Sequence, residues 1–483
     1  MLRLVKICLA TFIAVAVSTA CTNREVARVD PRPAKQDGPR VPVNINRKID
    51  ILFVIDNSDS MAEEQDELTA NFPLFIDVLQ RIDGGLPDLH LGVASTDLGA
   101  SSQVGNCDNE GGGDKGQLQA VARGPMGCPT PNDGRPFLED IADPADPNNR
   151  IKNYTGTLSE AFQCIAPLGL TGCGFEMPLE SMRRALEPAN TFNAGFIRDD
   201  AILAIVIISD EDDCSTQNFA MFGDRTADLT STLGPLDSFR CFEFGVECEP
   251  DDDINVRRAA GPRRNCTPRK QSQFMYDVQQ RYVDFLKNDL GKNPADVIVA
   301  GIIGDPDPIG VTIDASKSPP RAVLEPSCII PSQDPMNPKT AASPSVRLKF
   351  FLDQFPARNT FTSICQDDLS GSLVLIANLL AEVIGNPCMK GDIDTDPNTN
   401  GVQEDCVVTE VTTDPNDPTK ENEVILPKCT QDPPAANEKP CWRLVPDAMQ
   451  CTGQNFPSQL ALEVVRDNDP QGRVFVEAAC VVK

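Results

Sequence analysis

Four continuous apolar runs stand out in the first two thirds of the chain. They are IDILFVI at 49–55, LHLGVAS at 89–95, AILAIVIIS at 201–209 and DVIVAGIIG at 296–304. Runs that are continuous rather than alternating are typical of strands in a parallel sheet with helices on both faces. The pattern therefore predicts four buried parallel strands.

Between these runs, apolar residues recur at steps of three and four, which is the period of an amphipathic helix. Three such stripes are Leu68, Phe72, Phe75, Ile76, Leu79 and Ile82; then Phe274, Val278, Tyr282, Phe285 and Leu286; and finally Leu369, Leu373, Ile376, Leu380 and Ile384. Strands that alternate with helices predict an α/β domain over residues 47–386, built on a doubly wound, mostly parallel sheet.

Two stretches interrupt this pattern, at about 100–150 and about 211–270. Both are rich in Gly, Pro, Asp and Asn, and we expect them to be surface insertions. Their cysteines are suited to pinning such loops by disulfide bonds: Cys107, Cys128, Cys214, Cys241, Cys248 and Cys266.

The pattern of residues along the chain changes again after residue 387. Short β-prone runs separated by Asp/Pro-rich turns predict a small Cys-rich β domain over 388–483. The sequence leaves the pairing of its six cysteines open: Cys388, Cys406, Cys429, Cys441, Cys451 and Cys480.

The chain opens with the features of a bacterial export signal over residues 1–20. Arg3 and Lys6 precede an apolar run that ends in VSTAC. Two interpretations compete, because small residues suit ordinary cleavage while VSTAC resembles a lipobox with Ser18 in place of the usual Leu. Cysteine parity favours lipidation of Cys21, since sixteen cysteines then remain in the mature chain besides the lipidated one. We expect an envelope lipoprotein of the outer membrane or cell surface, with residues 21–46 as its lipidated N-terminus and tether.

The composition limits the classes of function that fit this chain. A net charge of −28 disfavours nucleic acid as a partner. The single histidine, His90, lies inside a predicted strand, which argues against His-based triads and excludes zinc sites with several histidines. We therefore do not expect an enzyme.

The motif that carries chemistry is ILFVIDNSDSM, which ends the first strand. Asp56, Ser58 and Ser60 stand two residues apart in the turn that follows. One carboxylate with two hydroxyls is a hard oxygen set suited to Mg²⁺, or to Mn²⁺ or Ca²⁺. The alternative is a polar turn that caps the next helix, because Asp and Ser are common N-caps.

This motif resembles the DxSxS of the metal-ion-dependent adhesion site in von Willebrand factor type A domains. The runs GLTGCGFEMPLESMRRAL and AIVIISDEDD supply Thr171 and Asp210 as the family's remaining members. The resemblance implies that Ser58, Ser60 and Thr171 touch the metal, and that Asp56 and Asp210 act largely through waters. It also implies that the ion stays electropositive and binds an acidic side chain of a protein partner.

The chain departs from the family pattern at two places. Cys173 stands where a second hydroxyl is usual, and Glu211 rather than Gly follows Asp210. Cys164 and Cys173, which flank Thr171, are candidates to pair with each other.

A second acidic run, DIDTDPNTNGVQED, has the spacing of a loose calcium loop. Thr399 replaces the glycine that an EF-hand needs, so a linker turn rich in Asp and Asn is the alternative. Its candidate ligands are Asp392, Asp394, Asp396, Asn398, Asn400 and Asp405.

Three functions fit these observations. The first is a lipid-anchored protein that binds a partner through the metal at the DxSxS site, in the manner of an adhesion module. The second is a structural envelope component in which the metal is incidental. The third is a metal-dependent enzyme, for which the sequence offers no base or nucleophile beyond the metal shell.

Overall fold

The computed structural model describes residues 35–42, 47–82, 85–123, 127–249, 253–331, 340–385, 388–393, 406–414, 417–447, 451, 456–467 and 474–481. In chain order its strands are β1 Lys35–Pro42, β2 Lys48–Ile55, β3 Asp88–Ser95, β4 Leu138–Asp143, β5 Asp146–Lys152, β6 Ile202–Ser209, β7 Val246–Glu249, β8 Gly261–Pro268, β9 Val297–Ile303, β10 Ile309–Asp314, β11 Arg321–Leu324, β12 Cys328–Ile330, β13 Thr340–Ala342, β14 Asn359–Ser363, β15 Cys406–Asp414, β16 Asp417–Leu426, β17 Cys441–Pro446, β18 Leu460–Val465 and β19 Val474–Val481.

The α-helices are α1 Ala62–Gln80, α2 Leu158–Ile165, α3 Pro178–Leu186, α4 Phe239–Gly245, α5 Ile254–Arg257, α6 Val346–Asp353 and α7 Ser370–Gly385. Residues 278–289 form a further helix that is wound mostly as π-helix. Within the described ranges, no helix combines the length and apolarity needed to cross a bilayer.

A seven-stranded sheet forms the centre of the molecule, in the order β14-β9-β6-β2-β3-β4-β5. The first five strands are parallel, and β4 and β5 add an antiparallel edge. The four apolar runs are β2, β3, β6 and β9, so the predicted mostly parallel sheet in a mixed α/β protein is confirmed. β14 was not predicted.

Helices pack on both faces of this sheet. Alternate residues of a strand point to opposite faces, and in β2 Ile51 and Phe53 face one core while Leu52 and Val54 face the other. The first core contains α1, α2 and α7, and the second contains α3, the 278–289 helix and α6. On the first face, the ring of Phe53 packs against Phe72 and Phe162. This two-sided burial explains why the parallel strands read as unbroken apolar runs.

Both predicted insertions contain more regular structure than expected. The stretch 100–150 includes β4 and most of β5, which extend the central sheet. In the stretch 211–270, β7 and β8 join β10 and β11 in a separate sheet with a small apolar core that includes Phe239 and Phe242. The prediction of simple surface loops was therefore wrong for these parts.

The C-terminal region is Cys-rich and made of strands, as predicted. Its main sheet has the order β1-β19-β15-β16, and β17 pairs with β18. The presence of β1 corrects the sequence analysis, which assigned residues 35–42 to a tether; instead they pair with residues 475–481. Cys21 lies outside the described residues.

All sixteen described cysteines form disulfide bonds. The pairs are Cys107–Cys173, Cys128–Cys164, Cys214–Cys241, Cys248–Cys266, Cys328–Cys365, Cys388–Cys451, Cys406–Cys480 and Cys429–Cys441. The suggested pairing of Cys164 with Cys173 is wrong, because each bonds to a cysteine of the first insertion. The even count of sixteen fits full pairing.

Mild reduction is expected to unfold the C-terminal region before the α/β region. Its core is small, and each disulfide contributes about 2–5 kcal/mol in such a unit. Trp442, the single tryptophan, is buried in that core, so its fluorescence reports on the C-terminal region alone. During a reductant titration, its emission should shift to the red before the helical circular dichroism signal falls. Simultaneous loss of both signals would contradict this order.

Candidate metal site

The turn after β2 holds Asp56 in a fixed orientation. Its backbone N–H donates to the carbonyl of Ile208 at 2.9 Å, which ties the turn to β6. Asp56 Oδ1 accepts from the Ser58 N–H at 2.8 Å, and Oδ2 accepts from Ser209 Oγ at 2.7 Å. The carboxyl group is fully buried. Asp56 is therefore oriented by two strands at once.

Ser58 and Ser60 continue from this carboxyl toward the surface. Their Oγ atoms lie 3.0 Å apart, with Ser58 buried and Ser60 exposed. Ser58 lies beside Asp56 and Ser60 beside Asp210, and each hydroxyl acts to lower the pKa of the neighbouring carboxyl. The structure thus brings together four of the five residues predicted from the sequence.

These residues do not cap the following helix. Helix α1 begins at Ala62, and its N-cap is Met61, which makes no side-chain capping bond. The alternative that the Asp and Ser residues of the turn serve as a helix cap is therefore wrong.

Asp210 follows β6 directly and is 4% exposed. Its Oδ1 has no hydrogen-bond partner among the described atoms. Burial raises the pKa of this carboxyl well above its usual value, and the nearby charge of Asp56 raises it further. An ionised Asp210 at this position calls for a positive charge.

Thr171 is set apart from the other four predicted residues. Its side chain is exposed, and no hydrogen bond within the described residues joins it to them. Its neighbour Gly172 donates its N–H to the Asn57 carbonyl at 2.9 Å, so closely that a Cβ on Gly172 would lie 2.3 Å from Asn57 Oδ1. The loop is close to the turn, but the Thr171 hydroxyl does not belong to the same hydrogen-bonded set.

Glu176 is a member of the site that the sequence analysis missed. It is fully buried just before helix α3, and one of its oxygens, Oε2, accepts a hydrogen bond from Thr96 Oγ1. It lies close enough to Asp56 for the two carboxyl groups to interact electrostatically, and its Oε1 has no hydrogen-bond partner among the described atoms. Burial raises its pKa well above the usual value, and Asp56 and Glu211 raise it further. The sequence did contain a signal for Glu176, which is an acidic residue inside the otherwise apolar run GFEMPL.

Together these groups form a continuous chain of oxygen-bearing side chains, which we call the oxygen arc: Glu176, Asp56, Ser58, Ser60 and Asp210. In this order two carboxyls are followed by two hydroxyls and then by a third carboxyl. Among the described residues, no three His, Cys, Asp or Glu side chains converge as metal ligands would. A cation here would be held by hydroxyls as well as carboxyls.

The surroundings of the oxygen arc are strongly negative. The principal charges acting on Asp210, Glu176 and Glu211 in the described structure come from other carboxyl groups, including Glu64. Glu64 on α1 is buried and accepts from Thr340 Oγ1 at 2.5 Å, and its Oε2 lacks a partner. Buried oxygen acceptors without donors are costly, and a nearby cation reduces this cost. The residues present therefore fit a hard divalent ion.

Two other carboxyls of the acidic run at 209–213, those of Asp212 and Asp213, make structural contacts. Asp212 accepts from the N–H groups of Arg347 and Leu348 at the start of α6. Asp213 forms a buried ion pair with Arg347 at 3.0 Å and accepts from the Leu179 N–H in α3. These contacts anchor the end of β6 to two helices and thereby fix the position of Asp210.

The other candidate groups lie elsewhere. His90 is buried in β3, where Nδ1 contacts the Phe196 carbonyl at 2.8 Å and Nε2 contacts Glu139 at 3.0 Å. It pairs with Asp50 near the start of β2, at the opposite end from Asp56. Of the proposed calcium loop only Asp392 is described; Asp394, Asp396, Asn398, Asn400 and Asp405 lie outside the described residues.

Comparison with known proteins adds little to this site. No protein-family model matches the chain, and no curated protein matches it. Solved structures with some similarity include the pilus adhesin RrgA from Streptococcus pneumoniae, with 10% identity, a TM-score of 0.27 and coverage of 95% of this chain and 60% of the adhesin chain. The pilus adhesin SpaC from Lactobacillus rhamnosus GG has 11% identity, a TM-score of 0.29 and coverage of 96% and 45%. The chain spans less than two thirds of either adhesin, and both scores are too low to define a shared fold.

Replacing Asp210 with Asn should stabilise the metal-free protein at neutral pH. The raised pKa means that folding favours the protonated form, so this contribution is complete below about pH 4 and is lost as the pH rises through the folded-state pKa. Asparagine keeps the shape and removes the charge. Thermal unfolding in EDTA should show a higher Tm for Asp210→Asn at pH 7, by on the order of 2 °C or more, and a smaller difference near pH 4. A lower Tm at pH 7 would contradict the proposed burial of charge.

Proposed function

We propose that this protein is an exported envelope protein that binds a protein partner through a divalent cation held at the oxygen arc. The observation that carries the proposal is the set of buried oxygens without partners around the turn after β2. They belong to Asn57, Glu64, Glu176 and Asp210. Asp210 lies beside the hydroxyl of Ser60, and the main charges that act on Asp210 and Glu176 come from other carboxyl groups. Such a set is suited to Mg²⁺, Mn²⁺ or Ca²⁺.

The position of the oxygen arc in the sheet supports this function. It lies beyond the carboxyl ends of the parallel strands β2 and β6, which is where open α/β sheets bind ligands. Ser60 is exposed, so the site reaches the surface. The resemblance to von Willebrand factor type A domains rests on the same turn, and we assign the main domain to that fold as part of this proposal.

We propose binding rather than catalysis. The single histidine is engaged in structural contacts far along the sheet, at the opposite end of β3. The side chains around the candidate ion are carboxyls and serines, which are sufficient to hold a cation and orient a partner. An acidic side chain of the partner is the first donor to test, because a carboxylate is a strong ligand for a hard ion.

Removing the ion or the serine ligands should abolish partner binding. The double variant Ser58→Ala, Ser60→Ala removes two hydroxyl ligands without changing charge, and the apolar cores on both faces of the sheet keep it folded. We expect calorimetry to show at least a tenfold loss of metal affinity. In a pull-down from envelope extracts, the wild-type protein should recover the partner. The double variant, or the wild-type protein in EDTA, should fail to recover it.

A matched control is Ser101→Ala with Ser102→Ala, which changes two serines of the first insertion. Partner binding that survives both EDTA and the double variant at the site would overturn the metal-dependent function. It would then favour the structural role in which the C-terminal region makes the attachment.

Anchoring is a separate part of the proposal. We propose that Cys21 is lipidated, because VSTAC resembles a lipobox and because the sixteen described disulfide cysteines account for every other cysteine after the signal. Cys21→Ser should release the protein from the membrane fraction. Mass spectrometry of the mature N-terminus should show an acylated Cys21, and an unmodified cysteine would refute the anchor.

A further inference from the structure

A polar cleft lies at the start of the 278–289 helix, and the candidate metal site does not use it. We propose that this cleft binds an acidic oligosaccharide, that is, a sugar chain that carries a carboxylate. The cleft encloses about 520 Å³, which is within the usual range of small-molecule sites. The inference goes beyond the proposed function, because nothing in it requires a cation.

The floor of the cleft is a contact between two segments, one that follows β6 and one that precedes the 278–289 helix. The Tyr276 N–H donates to the Ser215 carbonyl at 3.2 Å, and the Gln217 N–H donates to the Phe274 carbonyl at 2.7 Å. The side chain of Gln217 also donates from Nε2 to the Ser272 carbonyl at 2.7 Å. These bonds hold the backbone in place, so the floor is formed before any ligand binds.

Tyr276 and Arg281 form a fixed wall of the cleft. Arg281 donates from Nε and Nη2 to the carboxyl of Glu180 at 3.1 and 2.9 Å, and its Cζ lies 4.4 Å from the centroid of the Tyr276 ring. The same ring packs against Tyr282 in a T-shaped pair with centroids 6.2 Å apart. Arg281 Nη1 has no hydrogen-bond partner among the described residues. The guanidinium is therefore held in position and still has donors to offer.

The cleft carries more positive than negative charge, although the net charge of the chain is −28. Lys270 and Arg281 are the cations of its lining, and Asp277 is the one carboxyl there. Asp277 Oδ1 already accepts from the Gln280 N–H at 2.9 Å. Lys270 is exposed and makes no ion pair or hydrogen bond with another described residue. Two cationic donors in one cleft favour an anionic group in the ligand, and a carboxylate can accept hydrogen bonds from both.

Uncharged hydrogen-bonding side chains make up most of the remaining lining. They are Gln217, Gln271, Ser272, Gln273 and Gln280. The amides of Gln271, Gln273 and Gln280 make no hydrogen bond with another described residue. An amide group both donates and accepts, as a sugar hydroxyl does, so each amide can pair with a hydroxyl. A ligand rich in hydroxyls therefore fits this lining better than an apolar molecule or an acidic peptide.

The winding of the adjoining helix also supports a binding role. Residues 279–283 are π-helical, and this segment supplies Gln280 and Arg281 to the cleft. π-helical turns are rare in proteins and occur frequently at functional sites. The unusual backbone is thus found where the helix lines the cleft.

The test measures sugar binding to the full mature chain in EDTA, so that no metal occupies the oxygen arc. The probes are two acidic tetrasaccharides, one from hyaluronan and one from polygalacturonate, together with the neutral chitotetraose and a peptide of four aspartates. We expect calorimetry and saturation-transfer NMR to show binding of at least one acidic sugar. Chitotetraose should bind about tenfold more weakly, since it lacks the carboxylate, and the peptide should not bind.

Three exposed side chains provide the variants and their control. Lys270→Gln should weaken binding of the acidic sugar about tenfold, because it removes a charge-assisted hydrogen bond to the carboxylate. Gln280→Ala should weaken it about threefold through the loss of an uncharged hydrogen bond. Arg264→Gln is the matched control, since it removes an exposed arginine of β8 that does not line the cleft, and it should leave the affinity unchanged.

Failure of both acidic sugars to bind overturns the inference. Equal weakening by Lys270→Gln and Arg264→Gln also overturns it, because that result would indicate attraction by overall charge. If the peptide binds as tightly as the sugars, the cleft is a site for acidic peptides instead. Sugar binding that appears only after Ca²⁺ or Mg²⁺ is added would assign the sugar to the oxygen arc. Because the assay contains no free metal, its result is independent of the metal-binding test of the proposed function.

Discussion

The parallel pairing of β2 with β6 is the constraint on which the candidate site depends. Their register sets Ile55 beside Ile208, so the residues that follow, Asp56 and Asp210, are brought to the same edge of the sheet. Both carboxyls are buried, and isolated buried carboxylates cost several kcal/mol each. Apolar helices cover both faces of the sheet; Asp56 accepts hydrogen bonds from Ser58 and Ser209, but Asp210 Oδ1 has no partner among the described residues. The fold therefore creates a demand for positive charge at one edge.

The acidic run that follows β6 shows how the chain handles the neighbouring carboxyls. Asp212 receives backbone N–H groups at the start of α6, although burial still raises its pKa to about 6. Asp213 is paired with the equally buried Arg347. Asp210 has an oxygen with no comparable partner among the described residues. Within a few residues, burial is thus offset by backbone dipoles for Asp212 and by an arginine for Asp213, whereas Asp210 keeps an oxygen without a partner among the described residues.

The elements that sequence patterning could predict are those with a strong apolar signal. β2, β3, β6 and β9 are buried on both sides, so their runs are unbroken and easily recognised. β1, with the sequence KQDGPRVP, carries no such signal, because a strand at a sheet edge can be recruited by backbone pairing alone. β5 is similar, since DPNNRIK joins the sheet only through its pairing with β4. Disulfide connectivity was likewise open, because it depends on where distant loops meet.

The same distinction separates the residues of the candidate site that could be predicted from the sequence from the one that could not. Asp56, Ser58, Ser60 and Asp210 follow strand ends directly, so the local sequence determines where they point. Thr171 is exposed and Glu176 is buried because of the path of a loop, and this loop is tied to the first insertion by the disulfide Cys107–Cys173, which joins residues 66 positions apart. A bond of this kind stabilises the fold, and its partner cannot be read from the residues around either cysteine.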